Sequence, residues 1–86
     1  MPTISTFYGI LIHMYWQEHH PPHFHALYGD FEALIDIRTL EIIRGGLPGR
    51  ALALIQEWAN LHRQELMEDW NLCQTRQRPN KIPPLE

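Results

Sequence analysis

The stretch His23-Phe24-His25-Ala26-Leu27-Tyr28-Gly29-Asp30-Phe31-Glu32-Ala33-Leu34-Ile35-Asp36-Ile37 decides the fold. Two runs rich in aromatic and β-branched residues flank a Gly-Asp pair, which signals a two-residue β-hairpin. Glycine at the first turn position supplies the positive φ that a type II′ turn needs there. The turn sets a register. Tyr28 then faces Phe31, Ala26 faces Ala33 and Phe24 faces Ile35, all on one side. On the other side Leu27 faces Glu32, His25 faces Leu34 and His23 faces Asp36. The first set is uniformly apolar and is the expected core face. A slip of one residue would mix the two sets, so the apolar match supports this pairing. The second set puts His23 and His25 on the uncovered side of the sheet, with Asp36 opposite one and diagonal to the other.

Outward from this hairpin, Ile10 to Trp16 reads as a preceding strand and Gln17 to Pro22 as a polar loop holding two consecutive prolines. Glu41 to Arg44 reads as a short fourth strand ending at Gly45-Gly46. Pro48 suits the first position of a helix. From Ala51, steps of 100° gather Leu54, Ile55, Trp58, Leu61, Leu66, Leu72 and Cys73 on one side. His62, Glu65 and Asp69 interrupt that stripe. A helix of about 26 residues would be about 39 Å long, whereas a seven-residue strand spans about 23 Å. The helix therefore either bends near Asn60 or overhangs the sheet and packs on another subunit, with Trp70 as anchor. From Thr75 the chain carries Arg76, Arg78 and Lys81 among Pro79, Pro83 and Pro84. The expectation is an α+β domain over residues 1–74 and an extended, basic, proline-rich tail over 75–86. The domain is an antiparallel β-meander of three to four strands packed on one long C-terminal helix.

With 86 residues, 44% of them hydrophobic, the chain has room for one small globular domain. Ten acidic residues against seven basic ones give a net charge of −3, which argues against a general nucleic-acid binder. The single cysteine, Cys73, excludes an internal disulfide and a Cys-x-x-Cys metal site, and it fits a reducing cytoplasmic setting. No activating group accompanies it, so a reactive thiol is not expected. No apolar run approaches the roughly 20 residues of a membrane span.

Histidine is the compositional oddity: five of the six lie between positions 13 and 25. Two histidines at i and i+2 on a strand point the same way, about 7 Å apart at Cα, within reach of one metal ion. His23 and His25 are therefore candidate ligands, with Asp36 as an oxygen ligand or as the acceptor that orients one imidazole. His13 and His20 could complete the set. Such a group suits zinc, iron, nickel or copper better than calcium or magnesium. Without a metal, His23 held by Asp36 could serve as general base and His25 as general acid. The plain alternative is a His–Asp pair that merely neutralises an open sheet face, worth at most about 1 kcal/mol. On the helix, Trp58, His62, Glu65, Leu66 and Trp70 form a candidate partner-binding seam, and His62 alone reads as a neutral core histidine bonded to Glu65.

The chain resembles the small bacterial family catalogued as domain of unknown function 4160. The resemblance rests on Met1-Pro2-Thr3-Ile4-Ser5, Phe7-Tyr8-Gly9-Ile10, and above all His20-Pro21-Pro22-His23-Phe24-His25-Ala26 with Tyr28-Gly29. It continues through Glu32-Ala33, Asp36-Ile37, Leu47-Pro48, Arg50-Ala51, Glu57-Trp58, Leu61-His62, Glu65-Leu66, Trp70 and Lys81-Ile82-Pro83-Pro84-Leu85. Leu40 stands where the family usually has glycine, and Gly49 where a basic or proline residue is typical. The family has no settled activity. The resemblance implies one half of a two-gene, toxin–antitoxin-like cassette. Two functions follow as expectations. One is a regulatory interaction protein that forms a homo-oligomer or pairs with a small protein from a neighbouring gene. The other is a small His-based or metal-dependent hydrolase, a ribonuclease-like toxin, using His23, His25 and Asp36.

Overall fold

The computed structural model describes residues 3–86. Five strands form one antiparallel meander in chain order: β1 (Thr3–Phe7), β2 (Ile10–His13), β3 (His23–Tyr28), β4 (Phe31–Asp36) and β5 (Ile42–Gly45). Two helices follow, α1 (Gly49–Leu61) and α2 (Arg63–Gln74). The α+β class stands, and the β3–β4 pairing runs from Tyr28↔Phe31 to His23↔Asp36 in the expected register. Gly29 turns with φ +57°.

Among the described residues the sheet has five strands rather than three to four. β1 was missed because its apolar pattern is not a clean alternation. A register shift between Thr3 and Ser5 leaves the consecutive Ile4 and Ser5 both buried, as a β-bulge does. Tyr8 and Gly9, with φ +49° and +78°, close the β1–β2 hairpin, the positive pair of a type I′ turn. β2 is also shorter than expected: it leaves the ladder after His13, although Met14 is still fully buried.

The inner face carries Ile10, Ile12, Phe24, Ala26, Ala33 and Ile35, each 1% exposed or less. α1 covers it with Ala51, Ile55, Trp58 and Ala59. The Trp58 ring packs against Phe7 at 5.2 Å and Phe24 at 5.9 Å between centroids. The expected core face is not buried along its whole length. Tyr28 and Phe31, at the hairpin tip, are 38% and 50% exposed.

The single long helix is corrected to two. His62 leaves the helical region at φ −125°, ψ 26°, and the chain restarts at Arg63. A straight continuation would overrun the sheet. The break lets Leu66, Trp70 and Cys73 turn inward, all 1% exposed or less. Trp58, Leu66 and Trp70, expected at a partner interface, are thus core residues of their own chain. Residues 75–86 carry no helix or strand but lie docked. Asn80 N–H donates to Asp69 Oδ1 (2.8 Å), Ile82 N–H to Ile4 O (2.8 Å) and Trp58 Nε1–H to Pro83 O (2.8 Å), with Ile82 itself buried. Leu40 sits at φ +62° with its side chain buried. That left-handed backbone is the physical reason a glycine suits this position. Among the described residues, no helix is long and apolar enough to cross a membrane.

Candidate metal centre

β3 presents His23 and His25 on the outer face, their ring centroids 5.5 Å apart. That face is not uncovered, as the sequence suggested. Tyr15, Glu18 and Pro21 of the 14–22 loop contact their rings, Trp70 of α2 packs on His23, and the two histidines are only 5% and 8% exposed. The carboxylate that meets them comes from this loop. Glu18 Oε1 lies 2.8 Å from His25 Nε2 and 3.4 Å from His23 Nε2. One ligand atom from each of Glu18, His23 and His25 falls within 4.8 Å of the others. Metal–ligand bonds of about 2.0–2.2 Å in a tetrahedral shell put ligand atoms about 3.4 Å apart, so modest adjustment brings the three onto one ion.

The far nitrogens are already committed. His23 Nδ1 donates to the Pro21 carbonyl at 2.8 Å, since a carbonyl only accepts. In the neutral ring this leaves the Nε2 lone pair directed at the cluster, and Nε2 is buried with no hydrogen-bond partner. His25 Nδ1 lies 3.2 Å from Glu32 Oε2, the carboxylate–histidine arrangement that fixes the tautomer of a metal-ligating imidazole. Glu18 is about a quarter exposed, which leaves the centre open on one side.

Asp36 does not join the histidines. It is the cross-strand neighbour of His23 at the backbone, but its Oδ1 accepts the Arg38 N–H at 2.7 Å and its Oδ2 pairs with Arg38 Nη2 at 3.2 Å. Burial acts to raise its pKa, and the hydrogen bonds from Arg38 outweigh that and hold the carboxyl below the usual carboxylate range. The carboxylate that stands with the two histidines is therefore Glu18 rather than Asp36. One signal pointed to it: Glu18 is the only carboxylate inside the histidine-dense segment 13–25.

His13 is paired with His25 across β2–β3, yet its Nδ1 lies 3.2 Å from the Tyr15 hydroxyl and it stays out of the triad. Burial foremost, then the neighbouring His25, pushes its pKa down. Tyr15 stands edge-on to the His25 ring at 4.6 Å, and burial followed by Glu32 and Glu18 raises its hydroxyl pKa. His20 is exposed, its ring against Trp70 at 5.7 Å, also outside the triad. His62 is half-buried, hydrogen-bonded to Glu65 and packed on Trp58. Cys73 is buried, and burial above all pushes its thiol up to about 11, which makes it unreactive.

Two imidazoles and one carboxylate form a donor set for zinc or iron(II), with nickel and copper also compatible. No curated protein and no solved structure matches the chain. Residues 9–71, which include all three members of the triad, match a family described as Domain of unknown function (DUF4160), and the chain belongs to that family.

Proposed function

We propose that this domain holds one divalent transition-metal ion on Glu18, His23 and His25 and uses it as a hydrolytic centre. One observation carries the reading. His23 Nε2 and Glu18 Oε1 face each other at 3.4 Å with no hydrogen bond between them, while the ring's other nitrogen donates to Pro21. A buried ring nitrogen without a partner, turned toward a carboxylate oxygen that already accepts from His25, favours a cation between them. Three protein ligands with an open side are the pattern of catalytic rather than structural zinc sites. A zinc-class ion there would lower the pKa of a coordinated water toward neutrality and polarise a substrate carbonyl or phosphoryl oxygen. The chain's own residues would do the rest. Glu32 holds the His25 tautomer, Tyr15 remains protonated as a hydrogen-bond donor beside His25, and His13 holds the Tyr15 hydroxyl.

The assembly reading is weaker on this geometry. Trp58, Leu66 and Trp70 lie in the core, so of the five seam residues only His62 and Glu65 reach the surface, and they bond to each other.

Elemental analysis of the purified protein, with its mass in solution, tests the proposal. One zinc- or iron-class ion per chain is the expected result, lost in Glu18→Gln and in His23→Ala but kept in Asp36→Asn. Protein purified from metal-supplemented medium that carries no ion, and takes up none on titration with zinc, would overturn it.

A further inference from the structure

Two of the three members of the metal triad lean on one face of α2. Trp70, Cys73 and Gln74 are spaced i, i+3 and i+4, so they share one side of the helix. The Trp70 ring, 1% exposed, packs on the His23 ring at 5.2 Å. One turn further on, the Cys73 carbonyl accepts the Gln17 N–H at 3.2 Å, and Gln74 Nε2–H donates to the Glu18 carbonyl at 3.2 Å. Just beyond the helix, Arg76 Nε–H donates to Gln17 Oε1 at 2.9 Å and Trp16 Nε1–H to the Gln77 carbonyl at 3.1 Å. Residues 16, 17 and 18 are therefore each tied to α2 or its exit. The β2–β3 connection has no ladder of its own between His13 and His23. These side-chain and backbone bonds set where the Glu18 carboxylate stands.

We infer that Gln74 and Trp70 of α2 are positioning residues of the metal centre, Gln74 for the loop that carries Glu18 and Trp70 for the His23 ring. The inference rests on the metal reading above and adds a dependence to it. The carboxylate ligand is in place only when α2 and its exit are docked on the loop, so whatever moves α2 controls metal affinity. A hydrogen bond donated to a ligand's own backbone acts as an outer-shell partner does: it adds no ligand, but it removes the freedom that binding would otherwise have to freeze out.

The test uses the full chain and cobalt(II) alone as probe, because its visible absorption reports ligand geometry and competition with a chelator reports affinity. Gln74→Met removes the donor and keeps the side-chain length. Cobalt should bind about tenfold more weakly, the lower end of the usual outer-shell effect, with a changed visible spectrum. The far-UV circular dichroism and melting temperature of the metal-free protein should stay close to wild type. Should Gln74→Met fail to fold, Trp16→Phe, which removes the indole N–H held by Gln77 at a half-exposed position, carries the same expectation of weaker binding and an altered spectrum. Wild-type affinity and spectrum in the folded variant, alongside loss of cobalt in Glu18→Gln, would overturn the positioning role and leave the metal centre standing. A wild-type chain that binds no cobalt would overturn both.

Discussion

The two faces of β3 start from similar material and end differently. Phe24 and Ala26 point to one side, His23 and His25 to the other, and all four are buried. The inner pair is covered by a helix. Trp58 of α1 fills the space over Phe24, so apolar area removed from water stabilises that side whatever the solution holds. The outer pair meets Tyr15 of the loop and Trp70 of α2, but its ring nitrogens face three acceptors: the Pro21 carbonyl, Glu18 and Glu32. Burial of polar groups under a loop stabilises only when every lone pair and proton finds a partner. His23 Nε2 does not. One face is therefore complete with protein atoms, and the other keeps one buried ring nitrogen without a partner.

The comparison breaks most easily at its apolar side. Phe24→Ala should cost about 3–5 kcal/mol in denaturant unfolding, because the ring is fully buried against Trp58. A loss near the surface-substitution level would mean that the inner face is not the main source of stability. On the outer side, His25→Ala should leave the metal-free protein folded and abolish its stabilisation by zinc. For the wild type that stabilisation is about 2.7 kcal/mol at a hundred times the dissociation constant, read as a shift in melting temperature. Equal zinc shifts in both proteins would erase the distinction between the faces.

Asp69 sharpens the same contrast on α2. It is 1% exposed, Asn80 N–H bonds its Oδ1, and its Oδ2 is unpartnered. Burial raises its pKa from 3.8 to about 6. The folded state thus binds the proton more tightly than the unfolded one. Stability falls as pH rises from about 4 to about 6, and the penalty persists above that. Asp69→Asn keeps an oxygen for Asn80, removes that slope, and should stabilise the protein at pH 7 by on the order of 1–2 kcal/mol. Unfolding curves at pH 4.5 and 7 check it, and a variant less stable than wild type at pH 7 would refute it. The smallest effect belongs to Asp36→Asn, which should change zinc affinity by less than about twofold. Its carboxylate is held by Arg38 rather than by the histidines, so a large loss on titration would restore it to the site.

Much of the fold was legible where the determinants are local. Gly29-Asp30 and the apolar match around it specify the β3–β4 register, and the strand period of two puts His23 and His25 on one face. β1 escaped because its bulge breaks the alternation on which a strand is recognised. Asp36 looked like the ligand because backbone register places it opposite His23. Its side chain is captured two residues later by the Arg38 N–H, a local bond that competes with any cross-strand one. Glu18 went unassigned because it sits in a loop without period, where nothing in the local pattern says which way a side chain will face.

What the residues alone determined about this protein is its hairpin register, its apolar stripe and the pairing of two imidazoles on one strand face, because each depends on neighbours a few positions away. What only the tertiary structure decided is where the helix breaks, which tryptophans become core, and which carboxylate meets the histidines. Those outcomes depend on groups dozens of positions apart in the chain, such as Gln74 and Glu18. Their contact exists only after the sheet and helices have closed on each other.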